Sequence, residues 1–361
     1  MSQGRPFGQV DSSAWTGALI AAAITLYGIL AKREGRRAAP GDLFPGRWRA
    51  MGHDASHPAE IPKPGWRAIL KRTWAEISED NVSVLAAGVA FFAMLSIFPA
   101  LTALVSLYGL VADPNTVERQ VASLEGILPP EAVNLVAAWL HDLVQGPPQK
   151  FGISLSISVL LALWSARAGT GTLMTAIDIC YGEKETRNVI WFNLHAFALT
   201  AALVLFGILS LALVAVLPAV LYFLPLPETW KTILALLRWP ILAGFVIIAL
   251  AIIYRYAPNR AEAKWRWVTP GSVAATALWI VASIGFSIYV SKFTNFDKTY
   301  GSLGAVVILL FWLYITAYVI LFGAELNAEI ERQTARDTTT RPEEPMGWRG
   351  ARMADTVATD G

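Results

Sequence analysis

Charge is what this sequence has least of. Asp, Glu, Lys and Arg make up 16% of 361 residues, where soluble domains carry about 25%. Hydrophobic residues reach 55%, a balance that suits lipid better than water. The two signs nearly cancel at a net charge of +2, so no basic field invites nucleic acid. Cysteine is almost missing. Cys180 stands alone, which excludes an intramolecular disulfide framework and says nothing about compartment. Histidine is scarce and scattered over His53, His57, His141 and His195. His53 and His57 are four apart but lie in a polar linker. A metal-dependent nuclease needs clustered His and carboxylate ligands, so neither a metal site nor a catalytic residue is expected. No Gly-rich loop ends in Gly-Lys-Ser/Thr, which excludes a P-loop motor, and no Gly-x-Ser-x-Gly elbow occurs. Gly169-Thr170-Gly171 is too short to count as a nucleotide fingerprint. No cofactor is implied, and the reading is of a non-enzyme.

Long apolar runs are what the sequence does have. A bilayer core takes roughly 20 apolar residues per helix. Seven stretches meet or approach that length, at 14–30, 82–111, 152–177, 190–224, 232–254, 268–290 and 302–326. They are continuous rather than alternating, which predicts helices and not barrel strands. The second and fourth exceed the core thickness, so tilt or interfacial extension is expected. Pro99 inside the second removes a helix hydrogen bond and predicts a kink. Fourteen tryptophans suit belts at the membrane interfaces.

Lysine and arginine set the expected orientation. They crowd the segment from Lys32 to Arg72, return at Lys184 and Arg187 and at Arg255, Arg260, Lys264 and Arg266, and end at Arg332, Arg336 and Arg341. The opposite side holds only Arg5, Arg119, Lys150, Lys231, Lys292 and Lys298. The positive-inside rule then puts the N-terminus outside and the C-terminus in the cytoplasm.

The chain therefore divides into an N-terminal anchor span over 1–37, a cytoplasmic linker over 38–64, a six-span membrane domain over 65–330 and a cytoplasmic tail over 331–361. A cleaved signal peptide is the rival reading of the first span. Against it, only Arg5 precedes the apolar run and no small-x-small site follows it. The outer loop 114–150 has apolar residues at spacings of three and four on both sides of Pro129-Pro130, the pattern of two amphipathic helices at the surface. The tail is rich in Thr, Arg, Glu and Pro, and disorder is expected there. The fold class is all-α, a polytopic transmembrane helix bundle with a six-span core plus one extra N-terminal span.

Four blocks of residues carry a resemblance. The first is Asp80-Asn81, then Ala86-Ala87-Gly88-Val89-Ala90-Phe91-Phe92 and Leu95-Ser96-Ile97-Phe98-Pro99. The second is Leu163-Trp164-Ser165-Ala166-Arg167 through Ala176-Ile177-Asp178, closing on Tyr181, Glu185 and Arg187. The third is Pro270-Gly271 with Trp279, Phe286 and Tyr289. The fourth is Tyr300-Gly301-Ser302-Leu303-Gly304, Trp312-Leu313-Tyr314 and Gly323-Ala324-Glu325-Leu326-Asn327. In this order, over about 65–330, the chain resembles the YihY/BrkB family of bacterial inner-membrane proteins, once labelled ribonuclease BN. The resemblance implies a six-helix bundle with both ends inside, and export of small molecules as an expected role. The first span lies outside the family pattern. At Arg167 the chain departs from it, since the family more often carries a small or neutral residue there.

Ionisable residues inside a membrane cost roughly 2.5–3.5 kcal/mol at a helix centre, so they are functional candidates by default. Arg167, Asp178, Glu325 and Asn327 are the candidate transport path. Arg167 and Asp178 are eleven residues apart, about three turns, and share nearly one helix face. Structural roles fall to Asn81 as an N-cap, Pro99 as a kink, Gly323 as a point of close helix approach, Tyr300-Gly301 as an anchor and turn, and Gly271 of the third block. The expected partners are membrane lipids and a small solute, an anion being one option, with no nucleic acid. A homo-oligomer is left open. The leading expectation is a transporter or exporter in the bacterial inner membrane, and the alternative is a non-transporting scaffold for the envelope.

Overall fold

The computed structural model describes residues 46–111, 164, 166–211, 213, 227–293 and 303–358. The anchor span 14–30, the outer loop 114–150, the pair Tyr300-Gly301 and much of the third apolar stretch lie outside the described residues. Among the described residues every regular element is helical, and the β-type contact is an isolated antiparallel bridge between Ala263 and Thr339.

The chain enters through α1 (Arg47–Met51), a 3-10 turn (Pro58–Glu60) and α2 (Lys63–Glu79). α2 buries Gly65, Ile69, Thr73 and Ile77. That strict spacing of four makes one narrow stripe that packs on a neighbour. Leu70 and Trp74 stay exposed on its other side. α2 stops at Asn81, whose φ of 52° is left-handed. Asn tolerates that region better than other non-glycine residues. Its side-chain amide donates back to the Glu79 carbonyl at 3.1 Å, and its own carbonyl accepts from the Val84 and Leu85 amides. Asn81 is thus the hinge of a 63° bend between α2 and the following helix, with its side chain turned back to α2. The expectation had been a side chain turned forward as a cap.

The bundle follows. α3 (Val82–Val111) carries Pro99 in its interior and stays helical to its end. α4 covers 166–180. α5 (Val189–Leu211), α6 (Glu228–Tyr256), α7 (Trp265–Phe293) and α8 (Leu303–Arg332) complete it. Among the described residues four helices are long and apolar enough to cross a membrane, over Val189–Ser210, Leu236–Tyr256, Trp265–Val290 and Val306–Arg332, and the bent pair Lys63–Glu79 with Val82–Ile97 makes a fifth if it is counted as one span. Val204, Leu205, Ile208, Val281 and Ile284 are exposed along them. Lipid is the solvent that tolerates such surface. α8 is the centre of the arrangement, packed against α2, α3 and α7.

The core is concentrated where α2, α4 and α8 end and α3, α5 and α7 begin, here called the polar end. Ile77, Val82, Ala86, Ile177, Tyr181, Tyr254, Val268, Leu321 and Ala324 form its main cluster. A second cluster joins Ala55, Ile61 and Ile69 to Trp267, Leu326 and Ile330.

Two expectations fail at this end. The segment read as a linker folds onto the bundle: His53 is buried, and its Nδ1 lies 2.7 Å from the Gln333 carbonyl. The tail read as disordered is packed across 333–358, where Thr338, Arg349, Met353 and Ala354 are buried and a last helix α9 (Arg352–Asp355) forms. The tail amides of Ala335 and Ala358 donate to the His53 and Arg332 carbonyls. Composition misleads because the polar residues of both segments satisfy one another across the fold instead of being solvated.

Candidate functional site at the polar end

α8 ends in an alternation of polar and apolar residues, Glu325-Leu326-Asn327-Ala328-Glu329-Ile330-Glu331-Arg332-Gln333. The three glutamates, Asn327 and Gln333 are all buried. A buried carboxylate persists only with a partner, and the partners come from four different segments. Glu331 accepts two bonds from Arg260, at 2.9 and 2.6 Å, with both side chains at 0% exposure. The Thr338 hydroxyl adds a bond at 3.1 Å, and the Arg260 guanidinium lies 4.2 Å above the Tyr181 ring. Burial works against the Arg260 charge, but Glu331 more than offsets it and holds the guanidinium above its usual pKa. Glu329 is paired with Arg72 and with Arg332, which also reaches Glu76 at 3.0 Å. Arg72 donates further to the Gln333 side chain at 2.6 Å. Sequence reasoning had assigned these arginines to topology alone. The pairing of Arg260 with Glu331 and of Arg72 with Glu329 has no local signature, because each pair is more than 70 residues apart.

The four candidate path residues are not gathered into one channel. Asn327 is committed to the helix crossing. Its Oδ1 accepts from the Gly271 amide at 2.7 Å, and its Nδ2 donates to the Val268 carbonyl at 2.9 Å. α7 and α8 approach so closely there that a Cβ on Gly271 would run into the Gly323 carbonyl and the Asn327 amide. A Cβ on Gly323 would strike the Tyr254 hydroxyl.

Asp178 lies in the last turn of α4, one residue past the apolar stretch. Its Oδ1 accepts from the Asn259 amide at 2.6 Å, and Oδ2 lies 3.8 Å from Arg187. Asn259 in turn donates to the Lys184 carbonyl and the Thr186 hydroxyl. Asp178 therefore ties together the turns 181–188 and 257–264. Burial lifts its carboxyl to about 6, although the Asn259 amide and Arg187 pull the other way.

Glu325 faces a different neighbourhood. Its carboxyl lies within electrostatic reach of Asp80, where α2 meets α3, and of the Cys180 thiol. One of its oxygens, Oε1, has no donor among the described residues. The Cys180 thiol also points at the Leu321 carbonyl, at 3.9 Å. Asp80 entered the sequence reading only as part of the family resemblance, and it is the residue that the structure adds to Glu325. No three His, Cys, Asp or Glu side chains converge on a metal-sized point among the described residues.

Arg167 stands apart from all of these. It lines a groove of about 490 Å³ between α3, α4 and α5, with Gly88, Phe92, Gly171, Thr172 and Phe192 among its neighbours. Its guanidinium lies 5.8 Å from the Trp164 ring and 5.9 Å from the Phe192 ring. Arg187 also lies 5.8 Å from the Phe192 ring. Arg187 is neutralised by Glu185, which accepts from it at 2.6 Å. Among the described residues no carboxylate forms an ion pair with Arg167.

Comparison with known proteins agrees with this architecture. The profile described as virulence factor BrkB matches residues 73–347, which includes the first part of the packed tail. The ribonuclease-like protein YfkH of Bacillus subtilis is 31% identical over 74% of this chain and 96% of its own length. A UPF0761 membrane protein of Rhodospirillum centenum is 26% identical over 77% of this chain and 60% of its own. Another from Vibrio vulnificus is 26% identical over 75% and 85%. No solved structure matches. The relatives are bacterial, and those two carry membrane-protein names. With its long apolar helices, this chain is a multi-pass bacterial membrane protein, and it belongs to the virulence factor BrkB family.

Proposed function

We propose that this protein moves a small anionic solute across the bacterial cytoplasmic membrane, with Arg167 as the residue that meets it. The observation that carries the reading is the guanidinium of Arg167 in its groove, contacted by two aromatic rings and matched by no described carboxylate. A charge placed there without a protein partner is expensive, and an anion passing through would supply the missing half. In this reading the body has six spans, the stretch 14–30 adds a seventh, and the polar end with both of its flanking segments faces the cytoplasm. Asp178 holds the turns at that end, and Glu325 with Asp80 is the candidate proton-coupling pair. Asn327 leaves the path and serves as a clamp.

Sealed proteoliposomes test this directly. Flux of small anionic metabolites is measured with and without a proton gradient, for wild type, Arg167→Ala and Glu325→Gln. The expected result is protein-dependent flux that falls at least about tenfold in Arg167→Ala. Flux untouched by both substitutions removes the residue assignment. The second reading is a scaffold for envelope machinery, and the interlocking of 46–79, α8 and the tail at the polar end favours it. It predicts that function in cells survives Arg167→Ala.

A further inference from the structure

α2 lies across the bundle at the level where the apolar helices begin. α3 is apolar from Val82 onward, so the hydrocarbon boundary at the polar end lies near that residue. Continued straight, the 17 residues of α2 would reach about 25 Å out along the α3 axis, whereas the 63° bend leaves the far end about 12 Å out. Trp74 and Leu70 then stand about 5 and 8 Å beyond Val82 along that axis, within a headgroup layer about 5–8 Å thick.

The contacts of α2 fix which flank faces the bilayer. Arg72 and Glu76 reach Glu329, Gln333 and Arg332, the part of α8 farthest from the apolar run. Ile69 packs in the cluster of Leu326 and Ile330, to which Trp66 and Phe322 add. Ile77 joins Val82 and Ala86 at the start of α3. Going round α2 from Arg72 past Ile69 to Trp66 and Ile77 therefore leads toward the membrane. The next side chains round are Leu70 and Trp74, which continue from Trp66 at intervals of four as one strip. They are 52% and 70% exposed. Lys63, Arg67 and Lys71 repeat at the same interval about 60° further round, and all three are exposed. Among the described residues no carboxylate forms an ion pair with them. Ala75 and Glu79 fall on the opposite flank and are exposed too. A strip of Leu and Trp beside a strip of cations, both at headgroup depth, is complementary to an anionic lipid surface.

We propose that α2 is an interfacial helix. It sinks Leu70 and Trp74 into the acyl boundary of the leaflet at the polar end and holds anionic phospholipid headgroups on Lys63, Arg67 and Lys71. The inference needs membrane residence alone and stands apart from the transport and scaffold readings.

The full chain is reconstituted in vesicles of equal phosphatidylglycerol and phosphatidylcholine, with a photoreactive benzophenone amino acid in place of Trp74, Ala75 or Val281, one at a time. Lipid adducts formed on illumination are identified by mass spectrometry. The probe at Trp74 is expected to label lipid, with phosphatidylglycerol favoured at least about fivefold, the factor that one cation near the surface contributes. The probe at Ala75 should give several-fold less lipid adduct. With Lys63→Gln, Arg67→Gln and Lys71→Gln together, labelling at Trp74 should persist and the two lipids should become equal. Val281, exposed on α7, should report both lipids equally in either background, which shows that the bundle remains folded in the bilayer. Absence of lipid adduct at Trp74, with Val281 labelled, overturns the proposal, and an adduct to protein there would assign the flank to a second chain instead. Equal labelling at Trp74 and Ala75 also overturns it. So does equal labelling by the two lipids at Trp74 in wild type, or a preference that survives loss of the three cations.

Discussion

Asn327 uses both ends of its amide on the α7 backbone, at the point where Gly271 and Gly323 let two helices touch. Losing such a side chain leaves a buried amide and a carbonyl short of a partner, which costs about 1–3 kcal/mol. Asn327→Ala should lower the thermal unfolding temperature in detergent accordingly. Gly323→Val should lower it further, since overpacking this crossing has to push helices apart. Asp178 gives a prediction with a sign. Its carboxyl is lifted from 3.8 to about 6 in the folded protein, so the folded state keeps a proton that the unfolded state has released. Its contribution to stability is greatest below about 3.8 and declines as pH rises to about 6. The change is at most about 3 kcal/mol. Unfolding of Asp178→Asn should therefore lose less stability than wild type between pH 4 and 7. Parallel pH profiles for the two would refute the assignment. The roles of these residues were unequally legible. Gly323 stood out as a small residue in an apolar run, and Gly271 only as part of the family resemblance. Asn327 read as part of a polar path because a sequence places a polar group in a helix without showing that its partner is the neighbouring backbone.

At the scale of elements, the apolar stretches were plain in the sequence, and the α2 stripe stood there unmarked. Apolar length and a spacing of four are local properties, and the helices α3, α6, α7 and α8 cover the stretches that hydropathy marked. The tail shows the opposite case. Its composition matches disordered segments, yet Arg349 donates to the Ala354, Ala335 and Glu344 carbonyls, and Met353 enters the main core cluster. The Arg352 amide reaches Glu183 at 2.7 Å, and the Lys264 amide reaches the Thr338 carbonyl at 2.8 Å. Deleting 333–358 would strip partners from His53, Arg72, Glu331 and Glu183 together. A fall of several degrees in unfolding temperature is expected. In wild type, amide hydrogen exchange over 333–358 should be as slow as at the end of α8, whereas exchange within seconds across that segment would restore the disordered reading.

The whole molecule is two regions with different solvents. One region is a set of apolar helices whose exposed Val, Leu and Ile face lipid, and the other is a polar end where three segments distant in sequence lock around α8. Cys180 is the sole cysteine and lies buried at the junction between them. Its reaction with a maleimide should be negligible in the folded protein and should rise with the same midpoint as global unfolding. Fast labelling of folded protein would mean that the Glu325 neighbourhood opens on its own. Membrane residence, helical class and approximate span positions follow from the sequence by itself, because they depend on summed apolar length and on charge counts, which need no partner. The burial of Glu325, Glu329 and Glu331, the docking of the linker and tail, and the isolation of Arg167 in a groove were decided only by tertiary structure. A charge in a low-dielectric interior is defined by what faces it, and those facing groups come from remote parts of the chain.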